Sequence, residues 1–358
     1  MKLSNQFLIT ITLLITSITF AQEAPHFKPG EDPRQPHQEW KLIENMSDEF
    51  EGKKIDEKKW QISGQGWIGR APGLFLAENI SLNNGSLQIT TTMLPEPIVK
   101  NNKTYTHGGG YVGSRNGMTY GYYECEMKAN KTFMSSTFWL INEGKDRLGC
   151  DKRTTELDIQ ESVGQITNDA DWMKYFDQTM NSNTHSRNIP EGCEYEKGSS
   201  KGKAELGGKA YEDFHVYGVW WKSKDEIIFF LDGKMQSKVT PPADFDIEMY
   251  LRMVVETYDW NPVPKDGGMT GSKEDRTTTY NWVRSWQLVD SKNGSAGSAA
   301  GSGEFDVNKD GKVNAIDYAV LKSILLGTNT NVDLSVSDMN KDGKVNALDL
   351  AVLKKMLL

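Results

Sequence analysis

Thr154-Thr155-Glu156-Leu157-Asp158-Ile159-Gln160-Glu161-Ser162 alternates acidic and apolar side chains with a period of two, the spacing of a β-strand whose two faces differ. On such a strand Glu156 and Asp158 project from one face, and Leu157 and Ile159 from the other into a core. A β-bulge near Gln160 would return Glu161 to the acidic face, so that three carboxylates share one surface. The same period recurs in Gly85-Ser86-Leu87-Gln88-Ile89-Thr90-Thr91-Thr92, in Gly121-Tyr122-Tyr123-Glu124-Cys125-Glu126-Met127, in Glu226-Ile227-Ile228-Phe229-Phe230-Leu231 and in Tyr280-Asn281-Trp282-Val283-Arg284-Ser285-Trp286. Between Trp40 and about Asp290 such runs are separated by Gly/Asn/Asp turns, with no long helical pattern. The expectation is an all-β sandwich of two antiparallel sheets, in the form of a jelly roll.

Like charges held together raise one another's pKa, so one carboxyl can stay protonated as an acid while another stays ionised as a nucleophile. Retaining glycoside hydrolysis requires such a pair, about 5–5.5 Å apart across the scissile bond. A solvated strand face, its acids paired with Lys or Arg on the next strand, has the same spacing, so spacing alone leaves both readings open.

The rest of the 358-residue chain narrows the choice. It has 49 Asp and Glu against 41 Lys and Arg, a net charge of −8. The cations are scattered rather than gathered in a stripe, which argues against a nucleic-acid partner. Three cysteines are too few for a disulfide framework and lack zinc spacing; one bridge at most is expected, Cys150 to Cys193, with Cys125 a buried thiol. Residues 1–21 carry Lys2, an apolar run from Phe7 to Phe20 and then Ala21, the pattern of a secretory signal peptide. The run is broken by threonines and too short to span a bilayer, so a secreted, extracellular protein without a membrane span is expected. Residues 22–39, rich in Pro, Glu and Lys, read as a flexible lead-in to a domain at 40–292.

Composition changes abruptly at Asn293-Gly-Ser-Ala-Gly-Ser-Ala-Ala-Gly-Ser-Gly-Glu-Phe305, a flexible linker. All 10 Trp and all nine Arg precede it, so the chain reads as an engineered fusion of two modules of different origin. The second module, 306–358, holds a repeat: Asp306-Val-Asn-Lys-Asp-Gly-Lys-Val-Asn-Ala-Ile-Asp317 returns 32 residues later as Asp338-Met-Asn-Lys-Asp-Gly-Lys-Val-Asn-Ala-Leu-Asp349. Each copy sets oxygen side chains at positions 1, 3, 5, 9 and 12 and Gly at 6, an arrangement that wraps calcium. The candidate ligands of two Ca2+ ions are Asp306, Asn308, Asp310, Asn314 and Asp317, then Asp338, Asn340, Asp342, Asn346 and Asp349. A pair of solvated Asp/Asn turns would not repeat the whole pattern, nor place an apolar helix after each copy, here Tyr318 to Leu325 and Leu350 to Leu357. An EF-hand ends its loop in Glu and has a helix before it; here the twelfth residue is Asp and only the following helix is present. That pattern resembles a type I dockerin. The resemblance implies a cohesin on a scaffoldin as partner, with Ala315, Ile316, Ala347 and Leu348 as near-symmetric recognition positions and two docking orientations.

Glu156-Leu157-Asp158-Ile159-Gln160-Glu161, for its part, resembles the E-x-D-x-x-E signature of glycoside hydrolase family 16 in its bulged form. The similarity runs from about Trp40 to Asp290 and includes Ser47-Asp48-Glu49-Phe50, Asn84-Gly85-Ser86-Leu87, Phe138-Trp139-Leu140, and Trp220-Trp221 before Leu231-Asp232-Gly233. It implies a concanavalin-like jelly roll and a retaining mechanism with no catalytic cofactor. Glu156 would be the nucleophile, Asp158 the residue that orients it and Glu161 the general acid/base. A non-catalytic galactan-binding lectin is the alternative of another class; the intact carboxylates speak against it.

Exposed aromatics stack on sugar faces, and Trp67, Trp139 and Trp172 are the candidates by position, with a packed core residue as the other reading of Trp139. Arg70, Arg153 and Arg187, the last following His185, would line the cleft with guanidinium groups suited to sulfate or carboxylate. The alternative for each arginine is a surface ion pair, and for Arg187 it weighs at least as much. Within the family, the loop from Trp67 to Phe75 and the run Leu251 to Trp260 are most similar to the red-algal galactan branch, the β-agarases and β-porphyranases. On that run Arg252, Val254, Glu256 and Tyr258 share a face, and the resemblance implies that Glu256 bonds a sugar hydroxyl. Arginines favour sulfated porphyran over neutral agarose, so an endo-acting hydrolase of its β-1,4 linkages is expected, with β-agarase as the alternative. The family's structural calcium on the convex face would here fall to Asn281, an amide where a carboxylate is usual.

Overall fold

The computed structural model describes residues 24–64, 66–142, 147–291, 306–308, 313, 315–326, 337–340 and 342–356. The signal segment 1–21, the linker 293–305, and Asp310 and Asn314 lie outside them, as do the side chains of Ala315 and Ile316. The first half of the large domain contains β1 (Gln38–Leu42), β2 (Trp60–Gln61), β3 (Gly73–Phe75), β4 (Ile80–Asn83), β5 (Ser86–Thr90), β6 (Thr92–Lys100), β7 (Lys103–Met118), β8 (Gly121–Lys128) and β9 (Ser135–Ile141). The second half contains β10 (Thr154–Val163), β11 (Thr179–Arg187), β12 (Gly198–Glu205), β13 (His215–Trp221), β14 (Ile227–Leu231), β15 (Lys234–Val239), β16 (Met249–Val255) and β17 (Thr277–Asp290).

These strands form two sheets. One runs β15-β14-β13-β8-β17-β5-β4, with β1 also on β17. The other runs β12-β11-β10-β9-β16-β7-β2, with β3 and β6 also on β7. Pairing is antiparallel except between β3 and β7. The two-residue period explains the layering. Leu87 and Ile89 of β5, Tyr123, Cys125 and Met127 of β8, and Tyr217 and Val219 of β13 meet Val112, Phe138, Leu140, Leu157, Ile159, Leu251 and Met253 of the facing sheet in one buried core. Burial of that apolar area, at about 25 cal/mol per Å2, is the main force holding the layers together. Cys150 and Cys193 are bridged, and Cys125 is free and buried. Among the described residues no helix is long and apolar enough to cross a membrane.

The lead-in is corrected by the structure. Residues 24–37 are packed on the first sheet rather than flexible: the Phe27 ring lies against Trp40, Tyr122 and Phe230, at centroid distances of 5.9, 4.8 and 5.3 Å. The backbone N–H of His26 donates to the Glu124 carboxylate, and that of Lys28 to the Gly233 carbonyl. Proline and charge content suggested disorder, but one aromatic side chain with a fitted apolar recess, and backbone donors with buried acceptors, are enough to anchor a short segment.

Asn281, the candidate for a structural calcium, faces protein partners. Its carbonyl oxygen accepts from the Ser86 hydroxyl at 2.8 Å and its amide donates to Glu126 at 2.6 Å, so the amide is engaged by protein partners. Among the described residues the one grouping of three His, Cys, Asp or Glu ligand atoms is Glu156, Asp158 and His185, on β10 and β11.

In the second module, α1 (Ala315–Leu325) and α2 (Ala347–Met356) close over Leu321, Met339 and Leu353. Both helices start three residues earlier than the apolar pattern suggested, because the last three loop positions form the first turn. Asp349 sits there fully buried, its carboxylate accepting from the N–H groups of Met339, Asn340 and Asn346. Asp317 accepts from Asn308 in the equivalent place. The loop turns at Gly343, where φ is +82° and a side chain would be strained. Carboxylates at Asp338, Asp342 and Asp349 with amides at Asn340 and Asn346 are a donor set suited to a hard cation such as Ca2+. Leu348, beside Ala347, is 61 % exposed at the start of α2.

Candidate active site

The site is built on β10, between β9 and β11. Asp158 pairs with Trp139 and Gln160 with Phe138, while on the other side Asp158 pairs with Asn183 and Glu161 with Asn181. One extra residue is thus inserted between Asp158 and Glu161, the expected bulge. Ile159 and Gln160 are both buried in consequence. Ile159 enters the core, whereas Gln160 accepts from the Asn181 N–H at 2.8 Å and donates to the Thr179 carbonyl. The inserted polar residue is therefore satisfied, and Glu161 returns to the face of Glu156 and Asp158.

Those three carboxylates line one pocket with Trp67, Arg70, Thr137, Trp139, Ile141, Arg187, Glu256 and Tyr258. Glu156 receives two hydrogen bonds from Arg187, Nη1 to Oε1 at 2.9 Å and Nη2 to Oε2 at 2.5 Å. His185 places Nε2 3.3 Å from Asp158 Oδ2, and burial lowers its pKa, which keeps it neutral near pH 7. Burial first, and then the charge of Glu156, hold Asp158 well above the ordinary carboxylate range. Glu161 is pushed up to about 8, by burial and then by Asp158, against the Tyr258 hydroxyl that donates to its Oε1 at 2.8 Å. Glu256 is raised to about 7 by burial despite Arg70, whose Nε donates to it at 3.2 Å. The pocket thus holds a proton-retaining glutamic acid and, on the same strand, a glutamate clamped by a guanidinium, which together suit acid-assisted displacement at a carbon.

The aromatic walls follow from loop and strand placement. The Trp67 ring meets Phe75, Tyr111 and Trp139 edge-on at 4.7, 6.0 and 6.2 Å. The loop carrying it is anchored by the Gly73 N–H, which donates to the Thr257 hydroxyl at 3.0 Å, and the Thr257 hydroxyl in turn donates to the Arg70 carbonyl. Trp139 faces the pocket rather than the core, as period-two alternation from Phe138 requires. Trp172 lies outside the pocket lining; it is 56 % exposed and packs edge-on against Phe176 and Trp260.

One expectation fails here. Arg153 is not in the cleft: its side chain is wholly buried, bonded to Asp246 and to the Asp244 carbonyl, with the Tyr195 ring 4.2 Å away. It shares the parity of Thr155 and Leu157, so its nearness to Glu156 in sequence places it on the opposite face. Arg252 and Val254 lie on the same sheet face as their β9 partners Trp139 and Thr137, as expected, but neither opens to the pocket. Both are buried, and Arg252 lies between the rings of Tyr111 and Tyr250. The strand ends at Val255, and Glu256 and Tyr258 reach the pocket from the segment beyond it. Thr137, Ile141 and the bond from Tyr258 to Glu161 were not anticipated. For Thr137 and Ile141 the available signal was their shared parity with Trp139 on β9.

Comparison with known proteins gives the same picture. The family model described as β-porphyranase A–D, GH16 domain, matches residues 40–288, and the type I dockerin domain model matches residues 304–358. β-Porphyranase B of Phocaeicola plebeius is 33 % identical over 317 residues, covering 81 % of this chain and 99 % of that protein. β-Porphyranase E of Zobellia galactanivorans is 36 % identical over 260 residues, 70 % of this chain and 88 % of that one. The crystal structure of a β-porphyranase from the human gut bacterium Bacteroides plebeius superposes with a TM-score of 0.64 at 34 % identity, covering 73 % of this chain and 96 % of that one. β-Agarase B of Zobellia galactanivorans, at 20 % identity and a TM-score of 0.56, shares the fold. The chain therefore belongs to the β-porphyranase A–D family of glycoside hydrolase family 16 domains, and carries a type I dockerin at its C-terminal end.

Proposed function

We propose that this chain is a secreted, endo-acting, retaining hydrolase of the β-1,4 linkages of sulfated red-algal porphyran, docked to a cohesin through its C-terminal module. The observation that carries the mechanism is the division of labour on one bulged strand: Glu156 under the two N–H groups of Arg187, and Glu161 raised to about 8. Near neutral pH Glu161 still holds its proton and gives it to the glycosidic oxygen as the bond to the leaving sugar breaks. Glu156 attacks the anomeric carbon from the other side and forms a glycosyl-enzyme ester. Glu161, now ionised, takes a proton from the water that hydrolyses the ester, and retention follows from two displacements. Burial, and then the charge of Glu156, hold Asp158 well above the ordinary carboxylate range, so a second charge beside the nucleophile is disfavoured.

Support for the sulfated substrate comes from Arg70 and Arg187, whose side chains are 41 % and 39 % exposed in the pocket, and from the porphyranase relatives. Trp67 and Trp139 supply the flat faces on which a pyranose stacks. In the dockerin, Asp338, Asn340, Asp342, Asn346 and Asp349, with their equivalents in the first repeat, would hold two Ca2+ ions, which bind structurally and take no part in hydrolysis.

The test is the release of reducing ends from porphyran, agarose, carrageenan and laminarin by the intact chain and by Glu156→Gln and Glu161→Gln. The expected result is cleavage of porphyran ahead of agarose, retained configuration in the first product seen by NMR, and near-complete loss in both variants. Preference for agarose would make the chain a β-agarase. Undiminished turnover by Glu156→Gln would overturn the mechanism, and no cleavage of any galactan would leave a lectin.

A further inference from the structure

Tyr258 touches the proton donor on one side and an aromatic stack on the other. Its hydroxyl donates to Glu161 Oε1 at 2.8 Å, and its ring lies on that of Trp260 with centroids 4.3 Å apart and planes 24° apart. Trp260 is backed by Phe176 and Trp172, at 5.1 and 5.2 Å. The turn carrying both rings is fixed by Asn261, which is fully buried. The Asn261 amide donates to the Phe133 and Gln165 carbonyls, and its oxygen accepts from the Thr167 N–H. Asn168 donates to the Trp260 carbonyl at 2.7 Å, and Asn181 donates to the backbone carbonyl of Glu161 at 2.9 Å. Backbone and carboxyl of Glu161 are thus held from two elements, β11 and the segment after β16.

We infer that Tyr258 is a positioning residue for the acid/base, holding the Glu161 carboxyl at one oxygen and leaving the other to carry the proton toward the glycosidic bond. The inference rests on the role proposed for Glu161. A donor to Oε1 favours the ionised carboxylate, so the hydroxyl restrains a pKa that burial and neighbouring charge would otherwise drive higher. The groups facing Glu161 are Asp158 and Glu156 on its own strand, His185 on β11, and Glu256 and Tyr258 from the segment after β16. Arg70 stands over the Tyr258 ring at 5.5 Å. Burial and the neighbouring carboxylates raise the phenol well above 10, so it remains a donor throughout the working range.

Tyr258→Phe removes the hydroxyl and keeps the ring on Trp260. In the variant the alkaline limb of kcat/KM on polysaccharide should move upward by about one pH unit, with kcat reduced roughly tenfold by the loosened carboxyl. An aryl glycoside of the same oligosaccharide has a leaving group that needs little protonation, and its first-step rate should fall less than twofold. Glu161→Gln separates the two readings: it should lose the polysaccharide reaction and keep the aryl glycoside's first step. Full polysaccharide activity in Glu161→Gln would remove the acid/base role itself. If that variant behaves as expected, an unmoved alkaline limb in Tyr258→Phe, or equal losses on both substrates, would overturn the positioning role alone.

Discussion

Glu124 offers a prediction that can be worked through in numbers. It lies on the outward face of β8, wholly buried beneath the N-terminal segment, with no cation bonded to it among the described residues. Its Oε1 accepts from the Trp286 indole at 3.0 Å and from the His26 N–H at 3.2 Å, and Oε2 receives the same His26 N–H at 3.0 Å. Burial raises it from an ordinary 4.5 to about 7, against those two donors and the charge of Arg284, which is itself paired with Glu49. A folded-state value above the unfolded one means that the contribution of Glu124 to stability is fully present below about 4.5 and is lost as pH rises through 7. That separation corresponds to about 3 kcal/mol. Glu124→Gln keeps one oxygen for Trp286 and His26, replaces the second branch of the forked His26 contact by a buried NH2 group, and cannot ionise. Thermal unfolding of both proteins between pH 4.5 and 8 is the assay. At roughly 2–4 °C per kcal/mol for a domain of this size, the wild type should lose about 6–12 °C relative to the variant over that range, and the glutamine protein should be the more stable at pH 8. Melting temperatures that run parallel in the two proteins would show that Glu124 is not desolvated and that residues 24–37 do not cover it.

Three further outcomes are expected. With Glu161 at about 8, kcat/KM on polysaccharide should fall above roughly that pH because the acid loses its proton; a limb near 4.5 would contradict the burial of this carboxyl. Arg70→Ala should depress turnover on sulfated galactan roughly tenfold more than on neutral agarose, the loss of one charge-assisted contact of about 1.5 kcal/mol at a partly exposed site; equal losses would point to a role through Glu256 alone. EDTA should abolish cohesin binding and the helical signal of 306–358 while leaving hydrolysis of soluble galactan intact, since the small core of Leu321, Met339 and Leu353 gives the module little stability without its metal; a cohesin pull-down and circular dichroism measure it.

Much of the site was legible because it depends on local periodicity. Alternation along β9 and β10 assigns Trp139, Glu156 and Asp158 to one face, and the bulge follows from the need to bring Glu161 back to it. What escaped depends on contacts between segments distant in sequence. Arg153 lies at the entry to β10, where its partners, Asp244, Asp246 and Tyr195, come from other parts of the chain. Phe27 has no periodic neighbours and is ordered by a recess made of three other segments. Tyr258 is past the end of its strand; parity with Arg252 and Glu256 assigns it to the pocket side but says nothing of the bond its hydroxyl makes to Glu161. Arg187 illustrates a different limit: it is an ion pair, as the cautious reading held, but its partner is Glu156.

The inserted residue of β10 separates folding from function more sharply than any side chain does. Ile159 and Gln160 point inward together, so removing Gln160 restores strict alternation and leaves every residue downstream on the face it already occupies. The Asn181 N–H that Gln160 satisfies would return to an ordinary ladder bond. Nothing in the hydrophobic pattern would register the loss. Yet the ladder already absorbs the extra residue: without it Ile159 would face Phe138 while Glu161 kept Thr137 and Asn181 as neighbours, so what the acid would lose is the local bend and twist of the bulge that aims it, not its register. A single-residue deletion at this point is thus expected to yield a sandwich that assembles normally with its three carboxylates still on one face, and to change only how Glu161 is aimed at the Tyr258 hydroxyl, a property that lies in the length of the strand and not in its composition.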